Sequence, residues 1–216
     1  MKNRPLPSLP PLAPGAAPAP PPCDAVRQEW SVPTDQDCLA FWDRYEMPEH
    51  IRGHSLLVAQ VATFLALGAR ERGLDLSVAT VRASALLHDL AKAYTIEHGG
   101  SHSQLGASWT VSLTGNPALA QGVLHHVYWP YELDIRKYFL PLAVIYGDKR
   151  VQHNDLVPLN RRFEDLLDRY GKTEDIRKRI GLAHAQAMDL ERLFGRLLEV
   201  DLNASAFDCG RLVERT

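Results

Sequence analysis

Helical periodicity, which runs from about residue 48 to about residue 200, is the feature that most constrains the fold. Apolar residues recur there at spacings of three and four, and no alternating β-branched run interrupts them. Glycine and proline stand where helix ends are expected. The pattern predicts an all-α fold, a helical bundle. A chain of 216 residues with 45% hydrophobic residues can bury one core of ordinary size without covalent cross-links, so we expect one domain.

The overall composition indicates which cellular compartment and which classes of partner to expect. The formal net charge is −2, and the basic residues are scattered among acidic ones, so we expect no nucleic-acid partner. Three widely separated cysteines fit neither a disulfide framework nor a zinc knuckle, and they indicate a reducing cytosol. Because no apolar run reaches the roughly 18 residues of a membrane span and the N-terminus lacks a signal-peptide layout, we expect a cytoplasmic protein without a membrane partner.

The ends of the chain differ in composition from its middle. Residues 1–29 begin with a proline-rich segment that cannot pack a core, and we interpret them as a disordered tail, more often a passive extension than a docking ligand. The helical domain is expected over residues 30–202, and residues 203–216 form a second tail.

Caps and breakers divide the periodic region into separate helices. Pro48 begins the first clear helix and Gly73 follows it, and Ser101 has capping-box spacing with Gln104. The other predicted helices cover about 77–94, run from Asn116-Pro117 to Pro130, follow Pro141, and form two charged amphipathic segments over about 158–200. We interpret the last two helices as covers of the bundle and not as parts of a site.

The segment ALLHDLAK, residues 85–92, places three polar side chains in an otherwise apolar helix. His88, Asp89 and Lys92 fall in the last turn of the predicted helix 77–94. A helix that is apolar all round is buried, so this turn should put an imidazole, a carboxylate and an ammonium into the interior. A bare buried carboxylate is costly and needs a partner.

Two further histidines and an aspartate fall on the inward faces of other predicted helices, and His102 lies at a predicted helix start. Any one of them alone is more often a hydrogen-bonded core residue than a ligand. Together they indicate a metal centre, because imidazole nitrogens and carboxylate oxygens suit a divalent transition metal, and the lack of nearby cysteines argues against structural zinc. His126 fits an inward face better than His125, which stays an alternative ligand. The candidate set is His54, His88, Asp89, His102, His126 and Asp148.

The order His54, His88-Asp89, Asp148 resembles the HD superfamily of metal-dependent phosphohydrolases, an all-helical fold named for the adjacent pair. The resemblance covers about residues 48–152 and includes HSLLVAQVA, LLHDLAK, HSQLGAS, VLHHV and YGDKRV. It implies a metal site in the core cleft, with those four residues as ligands of one metal and Asp89 bridging to a second. His102 and His126 look like the additional ligands of the dinuclear branch. The implied cofactor is therefore a pair of divalent ions of Fe, Mn, Ni or Co.

One subfamily carries a closer resemblance. HSQLGA is similar to the His-x-x-x-Gly-Ala block of bacterial HD hydrolases that split diadenosine tetraphosphate symmetrically. The segments VYWP and GDKRV, and the short loop between Asp89 and His102, depart from that subfamily. The pair His125-His126 is also similar to the cyclic-dinucleotide phosphodiesterase branch, although no Gly-Tyr-Pro motif follows.

These resemblances imply a phosphohydrolase that acts on a nucleotide or dinucleotide with metal-activated water. Asp89 and Lys92 are the expected catalytic residues, and Lys92, Lys149 and Arg150 are expected to pair with substrate phosphate. His50 is a candidate outer-sphere group, although a surface histidine is the commoner explanation. Two alternatives stay open, a di-iron HD-fold oxygenase acting on a small organic substrate and a catalytically silent nucleotide-sensing domain. A homodimer also stays open.

Overall fold

The computed structural model describes residues 19–22 and 30–203, so the predicted tails 1–29 and 203–216 lie almost entirely outside the described residues. These residues are helical apart from connecting segments and one small antiparallel hairpin, which confirms the predicted all-α fold. In chain order the elements are α1 (Asp35–Arg44), α2 (Glu49–Glu71), α3 (Val78–Leu87), α4 (Lys92–His98), α5 (His102–Thr114), α6 (Pro117–His125), α7 (Phe139–Arg150), β1 (Val151–Gln152), β2 (Asp155–Leu156), α8 (Leu159–Tyr170) and α9 (Glu174–Leu198).

Polar side chains fix the beginnings of several helices. The hydroxyls of Ser77 and Ser101 each accept a hydrogen bond from the backbone N–H three residues later, and Asn116 accepts from two N–H groups of α6. Thr34 and Asp37 form a reciprocal capping box at the start of α1, a helix that the sequence analysis did not predict. The predicted starts at Ser101 and Asn116 are confirmed.

The predicted helix 77–94 is broken at the His-Asp pair, which corrects the sequence-based interpretation. α3 ends at Leu87, residues 88–91 form tight turns, and α4 begins at Lys92. The Ala85 carbonyl accepts a hydrogen bond from the His88 ring Nδ1 at 2.7 Å, besides a long 3.5 Å contact from the His88 backbone N–H. The imidazole therefore occupies an acceptor that a continuing helix would use.

The end of α6 repeats this arrangement. The helix ends at His125 instead of at Pro130, and the ring Nδ1 of His126 lies 2.7 Å from the Val123 carbonyl oxygen. At both helix ends a histidine ring binds the carbonyl three residues earlier and so helps to terminate the helix.

Helices α2, α3, α6 and α7 form the core, with α5 against α6, α1 against α3, and the α8–α9 pair against α7. Gly122 allows α6 to cross α3 closely, because a Cβ at this position would lie 2.1 Å from the Ser84 hydroxyl oxygen. Gly147 allows α7 to pack closely against α2, because a Cβ at this position would lie 3.0 Å from the Val58 carbonyl oxygen. These crossings bring the histidine- and aspartate-bearing parts of the helices together.

Among the described residues, α2 alone is long and apolar enough to cross a membrane by length and composition. Just over half of its most apolar window, 56%, is buried inside the molecule, as is common for the core helix of a bundle. The core helix of a bundle meets the same criterion, so the expectation of no membrane partner stays a prediction.

Candidate metal centre

The six candidate metal ligands are all buried and converge at one place in the bundle. α2 and α7 each contribute one of them, the α3–α4 break contributes the His-Asp pair, and the start of α5 and the end of α6 each contribute a histidine. The predicted burial is confirmed for His54, His88, Asp89, His102, His126 and Asp148.

Asp89 lies at the centre of this cluster. Its Oδ2 atom is 3.4 Å from His88 Nε2 and 3.9 Å from His54 Nε2. Its Oδ1 atom is 3.5 Å from His102 Nε2 and 3.6 Å from His126 Nε2. The two oxygens therefore face two different histidine pairs, and each pair together with Asp89 forms a group that could hold a metal ion.

Asp148 extends the first of these groups. Its Oδ1 atom lies 3.0 Å from His54 Nε2 and 3.9 Å from His88 Nε2. Two imidazoles and two carboxylates thus face one another on this side of Asp89, which is a donor set that suits a divalent transition metal.

Backbone carbonyls orient two of the imidazoles. The Nδ1 atoms of His88 and His126 each lie 2.7 Å from a carbonyl oxygen, at Ala85 and Val123 respectively. With the Nδ1–H donating to the carbonyl, the lone pair of each neutral ring is on Nε2, the atom that faces Asp89. This is the arrangement by which a backbone acceptor orients a metal-binding histidine.

Two atoms at the centre lack hydrogen-bond partners among the described residues. His88 Nε2 and Asp89 Oδ1 are both buried and have no hydrogen bond there. A buried acceptor without a partner costs about 1–3 kcal/mol. A cation beside each atom would use the unpaired lone pair, so the donor set fits a metal.

The pKa shifts leave four residues of the cluster in forms that can bind a metal, whereas for His88 burial acts to lower the pKa but the Asp89 carboxylate helps to raise it. Burial lowers the pKa of His102 to about 4 and that of His126 well below its ordinary value, so both rings are neutral near pH 7. Burial alone would raise the pKa of Asp89, but the Lys92 ammonium and His88 hold it well below its usual range. For Asp148 the same effect of burial is outweighed by Lys149 and His54. Both carboxylates are therefore ionised.

Two lysines pair with these carboxylates. Lys92 Nζ donates to Asp89 Oδ2, and Lys149 Nζ donates to Asp148 Oδ2. The Lys92 side chain is 33% exposed, and both lysines line a cavity above the cluster. Each ammonium thus lies between a carboxylate and the space that a substrate could enter.

The cavity has a volume of about 340 Å³, and its outer wall comes from segments that the sequence analysis set aside. α8 and α9 supply arginines and apolar side chains to it, so the interpretation of these helices as covers alone was wrong. A usable signal was present in α8, where Arg162 and Arg169 are seven residues apart and share a face. The additional lining residues include His153, Asn154, Arg162, Phe163, Leu166, Arg169, Tyr170, Arg179, Ile180 and Ala183.

Two expected site residues lie away from the cluster. Arg150 is fully buried, and its guanidinium donates to the Val157 carbonyl at 2.8 Å and to the Tyr146 hydroxyl at 2.6 Å. It does not line the cavity, so a role in binding substrate phosphate is corrected to a structural one. The His125 ring packs edge-on against Trp129 and belongs to neither candidate metal group, which leaves His126 as the candidate. His50 lines the cavity.

Comparison with known proteins finds a family match over the region that carries the candidate ligands. The model of the HD domain matches residues 51–154. An uncharacterized protein of Methanocaldococcus jannaschii is 28% identical over 160 residues, covering 66% of this chain and 90% of that protein. Ribonuclease Y of Protochlamydia amoebophila is 37% identical over 84 residues, covering 38% of this chain and 15% of that protein. No solved structure gives a significant match.

The HD-domain model matches just under half of the chain, and the helical fold and the buried histidine and aspartate cluster agree with that match. The HD domain is typical of metal-dependent hydrolases. The finer resemblance, to symmetrical diadenosine-tetraphosphate hydrolases, stays a prediction.

Proposed function

We propose that the protein is a metal-dependent phosphohydrolase that cleaves a phosphoester or phosphoanhydride of a nucleotide or dinucleotide. The observation that carries the proposal is the position of Asp89. This residue belongs to both candidate metal groups and lines the cavity. A carboxylate shared by two ligand groups is the arrangement that a two-metal hydrolytic site requires.

The chain's own residues would hold the ions and orient the substrate. The first ion would bind His54, His88, Asp89 and Asp148, and the second would bind Asp89, His102 and His126. Fe, Mn, Ni and Co are among the divalent ions that this set of nitrogen and oxygen donors suits. When bound, such ions lower the pKa of a coordinated water and neutralise phosphoryl oxygens.

The cations of the cavity favour a phosphorylated substrate over an uncharged one. The ammonium groups of Lys92 and Lys149 reach both the carboxylates and the cavity, where they can bind phosphoryl oxygens. The reaction consumes one water, whose oxygen forms a new bond to phosphorus as the bond from phosphorus to the leaving oxygen breaks. The phosphate product keeps the hydroxyl, and the leaving oxygen takes the remaining hydrogen.

One relative supports the reaction class. The Protochlamydia protein bears the name of a ribonuclease, an enzyme that cleaves phosphodiester bonds. The cavity of about 340 Å³ and the net charge of −2 favour a small-molecule substrate over RNA for this chain.

Elemental analysis combined with a phosphate-release screen tests the proposal. Purified protein loaded with Mn²⁺, Fe²⁺, Ni²⁺ or Co²⁺ is offered nucleotides and dinucleotides, and the parent is compared with Asp89→Asn and Asp168→Asn. Asp168 is an exposed residue of α8 and gives a matched control. We expect phosphate release by the parent and by Asp168→Asn, and a loss of at least about 100-fold in Asp89→Asn.

An active Asp89→Asn protein with unchanged metal content would contradict the proposal. Retained iron with ferrous-dependent oxygen uptake and no phosphate release would instead favour the oxygenase. Nucleotide binding without metal retention or turnover would favour the silent sensor.

A further inference from the structure

Arg162 of α8 lies on the cavity wall outside the matched HD domain. Its side chain is only 13% exposed, which is unusual for arginine. The side chain therefore packs against the cavity wall and does not extend into bulk solvent. Its neighbour in the sequence, Arg161, is exposed and does not line the cavity. The two adjacent arginines therefore have different environments.

Ion pairing on α8 leaves part of the Arg162 guanidinium available. Its Nη1 lies 3.3 Å from Asp165 Oδ2, and the same oxygen lies 3.2 Å from Nη1 of Arg169. The Asp165 carboxylate thus pairs with both Arg162 and Arg169. Because one negative charge faces two positive ones, this group of three side chains keeps a net positive charge. The Nε of Arg162 is buried and has no hydrogen-bond partner among the described residues. A buried donor of this kind needs an acceptor.

Arg162 shares the cavity with Lys92, which follows the His-Asp pair at the start of α4. Two cations from separate elements therefore face the same cavity. An anion between them would relieve their repulsion and supply the acceptor that Arg162 Nε lacks.

We propose that Arg162 and Lys92 together bind the phosphoryl group of the substrate, with α8 acting as a specificity element added to the HD domain. The planar guanidinium supplies paired N–H donors to phosphoryl oxygens, and Lys92 supplies a point charge closer to the cluster. Beside Arg162, Phe163 and Leu166 offer an apolar surface to the organic group that carries the phosphate. The proposal rests on the proposed function and names the groups that hold its substrate.

Binding of inorganic phosphate to the full-length, Mn²⁺-loaded protein tests this proposal. Calorimetry compares the parent with Arg162→Gln and with the matched control Arg161→Gln. We expect phosphate affinity to fall by about 10-fold or more in Arg162→Gln, as for loss of a charged hydrogen bond, and to stay unchanged in Arg161→Gln. Metal content and melting temperature should be the same in all three proteins.

A second variant, Arg162→Lys, keeps the proposal testable if Arg162→Gln does not fold. Arg162→Lys keeps the aliphatic stem and the charge but loses the Nε donor and the planar fork, so we expect an affinity between those of the parent and Arg162→Gln. Phosphate binding by Arg162→Lys and Arg162→Gln at parent affinity, or no phosphate binding by the loaded parent, would overturn the proposal.

Hydrolysis assays separate this proposal from the proposed function. If the parent releases phosphate from an ester but Arg162→Gln has an unchanged KM and phosphate affinity, the role of Arg162 fails and the hydrolase stands. If the parent hydrolyses no ester but its phosphate affinity depends on Arg162, the hydrolase fails and the anion site stands.

Discussion

Asp89 is the residue on which the candidate site depends, because each of its oxygens faces a different pair of imidazoles. It lies in the tight turns between α3 and α4, where the chain can aim its carboxylate between helices instead of along one helix face. Its position is reinforced by Lys92, which binds Oδ2. A change at Asp89 should therefore affect both metal groups, whereas a change at an outer histidine should affect one.

Metal stoichiometry distinguishes these two cases. We expect Asp89→Asn to reduce bound metal at both groups, whereas His102→Gln, which alters only the second group, should remove about one equivalent. Elemental analysis of the purified variants, after equilibration with Mn²⁺, measures the metal content. Equal metal loss in the two variants would contradict a bridging Asp89.

His125 gives the protein a separate acid sensitivity. Burial lowers the pKa of His125 to about 4, compared with about 6.5 for an exposed histidine. The unfolded chain therefore binds more protons than the folded protein between these values, and stability falls as the pH drops from about 6.5 towards 4. The size of this contribution is on the order of 2 kcal/mol.

Replacing His125 should make the acid unfolding profile shallower. We expect His125→Gln to lose less of its free energy of unfolding between pH 6.5 and 4 than the parent does, because the titrating group is gone. Urea unfolding of metal-free protein at several pH values measures this difference. Parallel profiles for the two proteins would show that His125 does not cause the loss of stability between pH 6.5 and 4.

At the scale of single elements, local signals predicted the starts of helices better than their ends. Ser101 and Asn116 cap helices where the sequence indicated. The break after Leu87 could not be read from apolar periodicity, because it depends on a ring-to-carbonyl hydrogen bond made by His88. The missed α1 had a signal of its own, the spacing of Thr34 and Asp37.

The crossing of α3 and α6 offers a test of how helix packing positions the site. A methyl group at Gly122 would meet the Ser84 hydroxyl, which donates to the Leu119 carbonyl at 2.8 Å, and would lie 2.7 Å from Leu140 Cδ2. We expect Gly122→Ala to lower the free energy of unfolding by about 1–3 kcal/mol, as overpacking does. His126 follows directly after the last residue of α6, so metal affinity should fall as well.

A double-mutant cycle with Ser84→Ala checks the contact. Removing the hydroxyl makes room for part of the new methyl group, so the two substitutions together should cost less than the sum of their separate effects. Denaturant unfolding of the four proteins measures the coupling. If the changes in unfolding free energy of the two single variants add up to that of the double variant, the contact with Ser84 does not cause the effect of Gly122→Ala.

At the scale of the whole molecule, the site joins segments that are far apart in the sequence. Candidate ligands come from α2, the α3–α4 break, α5, the end of α6 and α7. Sequence reasoning found these residues because each interrupts an apolar stripe or marks a helix start. It did not find the cavity wall of α8 and α9, since which side of an amphipathic helix faces a cavity depends on packing between helices and not on periodicity alone.

Metal binding should stabilise the whole bundle because it links these segments. With free Mn²⁺ at about 100 times the dissociation constant, one site contributes about 2.7 kcal/mol, which corresponds to a rise of roughly 5–10 °C in melting temperature for a chain of this size. We expect this rise in the parent and its loss in Asp89→Asn. Differential scanning calorimetry with Mn²⁺ or a chelator measures it, and an equal rise in both proteins would place the stabilising ion elsewhere.

The pairs formed by Lys92 with Asp89 and by Lys149 with Asp148 have a consequence for metal affinity. Each ammonium holds a positive charge against a carboxylate oxygen that a cation would also bind, so the two positive charges compete for the same group. The affinity measured for a metal ion at either carboxylate therefore includes the cost of weakening a lysine contact.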